Sequence, residues 1–132
     1  MDGRPAIYLW MVAHTMHTPQ VTKASVHSLK PHRSSAYLEF IRSRPCTVTG
    51  SDQNIVAHHV RCLGGGGMGI KPSDYMCIPL TWEQHAKLHN MGEWSFYKLN
   101  SINIESEIKM NLLIYMAKTP SVDYKLLMSI LL

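Results

Sequence analysis

Long apolar runs are missing from this chain of 132 residues, and with them any helix able to cross a bilayer. Cysteine is scarce. Cys46, Cys62 and Cys77 form an odd set with no close pair, which excludes a disulfide framework. The same scarcity suits a reducing compartment, so a cytoplasmic location is expected. Acidic residues are also few, nine Asp and Glu against thirteen Lys and Arg, for a net charge of +4. No internal repeat stands out. The opening "MDGRPAIYLWMVAH" has too short an apolar stretch for a signal peptide, and no small-residue cleavage site follows it.

What is there fits one modest domain preceded by a tail. Residues 1–33 carry Arg4, Lys23, Lys30 and Arg33 against Asp2 alone, together with His14, His17, His27 and His32. Such a segment is expected to be a solvated, disordered leader that offers non-specific attraction to phosphate. Residues 34–132 hold nine basic and eight acidic side chains and are nearly neutral.

Within that body, "SSAYLEFIRSRP" predicts a helix of about two turns, capped by serine, with Leu38 and Ile41 near one face. "CTVTGSDQN" is turn-rich. "NIVAHHVR" has the β-branched content of a strand, "LGGGGMGIKPSD" reads as a flexible loop, and "YMCIPL" predicts a second strand. "TWEQHAKLHNMG" predicts a helix that starts at a Thr81–Gln84 capping box and stops at Gly92. The remainder predicts helices broken near Asn100 and Pro120, with Ile104, Ile108 and Leu112 at helical spacing as core. An exposed dimer surface is the alternative for the terminal "LLMSILL". The expected class is α+β, with a ββα core at about 54–92 and C-terminal helices over 95–132.

The histidines concentrate in this core. His85 and His89 stand four apart on the expected helix, so their rings share one face within reach of one ion. Two imidazoles need a further ligand, which His58 on the neighbouring strand can supply. His59 points to the opposite pleat and cannot do the same job. The glycine loop is no phosphate loop. Ile70 separates Gly69 from Lys71, and Pro72 follows where a helix should begin.

This constellation resembles the HNH, or ββα-metal, nuclease superfamily. The resemblance rests on "AHHVR", Asp74 in "KPSDY", and "TWEQHAKLH". The adjacent pair followed by two helix histidines is similar to colicin-type DNases, and the 26 positions from His59 to His85 are a comparable gap. Closer in wording are phage and prophage proteins of the Ref type, the RecA-dependent nucleases. The likeness covers roughly 50 residues, from Pro45 to Trp94. Two departures stand out. The usual C-x2-C is here Cys46-Thr47-Val48-Thr49, and Asp74 stands where many members have the middle asparagine.

The resemblance implies a metal-dependent endonuclease acting on DNA, leaving a 5′-phosphate and a 3′-hydroxyl. His59 would be the base that activates water, and Asp74 would orient it. His58, His85 and His89 would hold one divalent metal ion, with zinc, nickel, manganese and magnesium all candidates. Arg61 and Lys71 would contact phosphate. A recombinase partner is implied by the Ref likeness alone. The rival expectation is a zinc- and DNA-binding module that uses the same site without cutting, in which His59 would be dispensable.

Overall fold

The computed structural model describes residues 31–64 and 70–131. The tail through residue 30, with the disorder and tethering expected of it, lies outside these residues, as does most of the glycine loop. Seven elements follow in order: α1 (Ser35–Arg42), β1 (Ile55–His59), β2 (Cys77–Thr81), α2 (Trp82–Met91), α3 (Glu93–Leu99), α4 (Ile104–Lys118) and α5 (Tyr124–Leu131). The fold is α+β, and no described helix is long and apolar enough to cross a membrane.

Ser34 caps α1, its hydroxyl accepting from Tyr37 N at 3.2 Å. The face that α1 buries is drawn by Tyr37 and Ile41, while Leu38 is only half-buried. Tyr37 takes the inner place because its ring meets Tyr75 and Tyr115, with centroids 5.0 and 4.9 Å away. The turn that follows is closed by Cys46 N donating to Ser51 O and Gly50 N donating to Cys46 O. Gly50 has φ +73°, a conformation that a side chain disfavours.

β1 and β2 pair antiparallel, from Ile55 opposite Thr81 to His59 opposite Cys77. Residues 77–80 are all buried, so β2 is the inner strand in packing terms. Pro79 sits in its middle without cost to the ladder. Its carbonyl accepts from Thr47 N and Thr47 Oγ1, on the side away from β1. Helices α1, α2 and α4 all pack against this hairpin.

β2 runs straight into α2. The Thr81 hydroxyl accepts from Gln84 N at 3.2 Å, one half of the expected capping box. Trp82 N donates to Asn54 O, which ties the start of α2 to the start of β1. Gly92, at φ +89°, ends α2 and turns the chain into α3. Ile104, Ile108 and Leu112 of α4 are core, joined by Tyr115 and Met116. The C-terminal apolar stretch is core as well, and its alternative, an exposed dimer surface, is not what forms. Leu127, Met128, Ile130 and Leu131 are buried because α5 folds back on α4, and this chain consumes that apolar surface itself.

Candidate metal centre

The ββα order decides which side chains meet. α2 starts at the last residue of β2, so its first turns lie over the hairpin, and His85 and His89 project from one face four residues apart. That face meets His58 of β1. Ring centroids are 4.4 Å apart for His85–His89, 5.1 Å for His58–His85 and 6.0 Å for His58–His89. One ring nitrogen from each lies within 4.8 Å of the others. His85 Nε2 and His89 Nε2 approach to 3.0 Å.

Burial is graded across the three. His58 is 3% exposed, His85 half-buried and His89 exposed, so the cluster is anchored in the core and opens to solvent at one side. Burial, with the His58 and His89 rings close by, holds His85 below the ordinary histidine range. A neutral imidazole is the form that binds a metal. His58 Nε2 is buried, and Glu93 Oε1 lies 3.2 Å from it. Three imidazoles on a strand and a helix, graded from buried to exposed, fit a divalent ion.

His59 points to the other face of β1, as the pleat requires. Its Nε2 lies 2.7 Å from Asp74 Oδ1. Asp74 is buried, and three groups from the segment before α1 hold it in place. Ser34 N donates to Oδ2 at 2.8 Å, and Asp74 N donates to His32 O at 2.8 Å. The Arg33 guanidinium lies 3.5 Å from Oδ1. It also donates to Pro72 O at 2.8 Å and Lys71 O at 3.1 Å, fixing the chain that leads into Asp74.

Arg61 and Lys71 have exposed side chains, Arg61 just past β1 and Lys71 three residues before Asp74. Neither touches the three-histidine cluster through a described hydrogen bond or ion pair. The cysteines stay apart from it. All three are free, and among the described residues the histidine cluster is the one group of three or more candidate ligands. Burial, then a hydrogen bond to Glu93, pushes the Cys62 thiol up to about 12. A cleft lined by Trp94, Tyr97, Lys98 and Ile102 opens elsewhere along α3, and none of the histidines lines it.

Two residues here escaped sequence reasoning. Arg33 was assigned to the tail, yet it braces Asp74. Glu93 read simply as the first residue after a helix stop. Its carboxylate accepts from Arg61 N (3.0 Å to Oε1, 3.1 Å to Oε2) and from Cys62 N (2.8 Å), and Oε1 lies 3.2 Å from His58 Nε2. Burial would raise its pKa, but contacts with His58, the Cys62 thiol and those two amides outweigh burial and bring it down to about 2. An acidic residue at a helix start is ordinarily explained by the helix dipole, so sequence carried no signal for this role.

Residues 13–98, nearly two thirds of the chain, match the family described as protein of unknown function (DUF968), and the chain belongs to that family. The matched segment contains His58, His59, Asp74, His85, His89 and Glu93. No curated protein and no solved structure matches the chain.

Proposed function

We propose that this DUF968 member is a metal-dependent endonuclease of the HNH type that hydrolyses DNA phosphodiester bonds. The observation that carries the proposal is the division of labour between neighbours. His58 joins a three-imidazole cluster, while His59, one residue on, is hydrogen-bonded to a buried carboxylate at 2.7 Å. A site built only to hold an ion has no use for the second arrangement.

Hydrolysis needs a water made nucleophilic, relief of charge on the phosphate, and help for the departing oxygen. A divalent ion held by His58, His85 and His89 supplies Lewis acidity for the last two needs. His59 serves the first. Asp74 accepts a hydrogen bond from His59 Nε2–H, the tautomer in which Nδ1 carries no proton and can take one from water. Because Ser34 N and Arg33 hold Asp74, the imidazole is fixed before substrate arrives. Arg61 and Lys71, exposed on either side of the glycine loop, contact neighbouring phosphates and fix the strand's register. The open side of the cluster suits a long polymer better than a small enclosed substrate.

Three imidazoles favour late transition metals such as zinc and nickel in affinity, while magnesium and manganese are the other candidates for turnover. The proposed setting is a phage or prophage protein acting in the bacterial cytoplasm. A recombinase partner rests on the Ref resemblance alone. A zinc- and DNA-binding module without cleavage is the second reading, and the His59–Asp74 pair weighs against it.

The test is nicking of supercoiled plasmid by chelator-stripped protein, with magnesium, manganese, nickel and zinc returned separately. Nicking restored by at least one ion supports the proposal. DNA binding and one bound metal per chain, with no nicking under any ion, would move the assignment to the binding module.

A further inference from the structure

Outside the three histidines and the His59–Asp74 pair, the most heavily engaged polar group near the centre is the carboxylate of Glu93. It is half-buried at the first position of α3, one residue past the glycine that ends α2. It faces His58, Arg61 N, Cys62 N and the Cys62 thiol, with Tyr97 on its own helix nearby. Both amides lie in the chain leaving β1, three and four residues beyond His58. The carboxylate therefore holds the His58 ring and the exit of the strand that carries it.

The His58 contact has a particular form. Oε1 is 3.2 Å from Nε2, at ion-pair distance, so the carboxylate's charge sits against that edge of the ring. Glu93 is also not one of the groups whose ligand atoms all fall within 4.8 Å of one another. Of the three histidines, the one in its described contacts is His58. A carboxylate in that place does two things to a histidine ligand. It limits the ring's rotation, and its negative charge makes the imidazole a stronger donor to a dication.

We infer that Glu93 is a positioning residue of the metal centre, which acts through His58 and couples the centre to the start of α3. The inference rests on the reading of His58, His85 and His89 as metal ligands, and it concerns a residue which that reading does not use.

The measurement is zinc binding to chelator-stripped protein by calorimetry, with the melting temperature of each metal-free variant taken alongside. Glu93→Gln keeps the size and one carbonyl oxygen for the amides but removes the charge. The expected result is one zinc per chain in the wild type and binding weaker by about 10- to 100-fold in Glu93→Gln, with the variant still folded. Equal affinity in the two folded proteins, whatever the melting temperatures, would overturn the inference and leave the metal reading intact. No zinc bound by the wild type would overturn both. If Glu93→Gln does not fold, Glu93→Asp decides. It keeps the charge but withdraws it, so weakened zinc binding supports the positioning role and unchanged binding refutes it.

Discussion

His58 and His59 share a peptide bond and part company in space, one toward α2 and the other toward Asp74. This separation was legible in the sequence, because alternation along a strand is geometric and the histidine types announce themselves. Asp74 was legible only through the family resemblance, since fifteen residues and a glycine loop separate it from its partner. Arg33 and Glu93 were not legible. Their roles depend on which backbone groups a tertiary contact leaves facing them, and no spacing rule encodes that. A prediction follows for Asp74→Asn, which preserves size but replaces the accepting oxygens with an amide. Cleavage should fall by about 10²- to 10⁴-fold, the usual contribution of general acid–base help, while zinc affinity stays at the wild-type value. Single-turnover cleavage and calorimetry on the same preparation check both halves. Among the described residues no hydrogen bond or ion pair joins Asp74 to His58, His85 or His89, so a joint loss would contradict the division of labour.

At the level of elements, the ββα order was readable because each piece carried its own punctuation. Thr81 begins α2, Gly92 ends it, and the β-branched run before His58 marks β1. The pattern favours core for α5 but leaves a partner surface open as the alternative. An apolar stretch looks the same whether it faces a partner or its own α4. The inner face of α1 is legible at Ile41 and at half-buried Leu38, but not at Tyr37, whose inward place depends on Tyr75 and Tyr115. The junction of β2 and α2 invites a direct test. Thr81→Ala removes the hydroxyl that accepts from Gln84 N and should cost about 1 kcal/mol of stability by urea denaturation. His85 and His89 ride on the same helix, so bound zinc should stabilise wild type and variant alike. A loss well beyond 2 kcal/mol would mean that Thr81 does more than cap.

On the scale of the whole molecule, a single core threads the hairpin, α1, α4 and α5, and it encloses several groups that release protons only at high pH. Burial raises the pKa of the Cys77 thiol and of the Tyr37 and Tyr97 phenols, and Cys62 reaches about 12. Their unfolded-state values are near 9 for the thiols and 10 for the phenols. Cys46 moves the other way, burial being outweighed by hydrogen bonds with Thr49 that bring its thiol down, but the raised groups outnumber it. Above pH 9 the unfolded chain sheds protons from them that the folded chain keeps, so their contribution to stability is full below that pH and declines as pH rises. The melting temperature of metal-free protein should be lower at pH 10 than at pH 8, and a rise over that interval would contradict the burial described. The central claim, however, concerns catalysis by the whole chain, and one comparison tests it most directly. His59→Ala and wild type should be loaded with the ion that supports nicking, assayed for bound metal, and then compared in plasmid cleavage. The account predicts equal metal content, intact DNA binding and cleavage lost only in the variant. Cleavage undiminished in His59→Ala, at equal metal content, would contradict it.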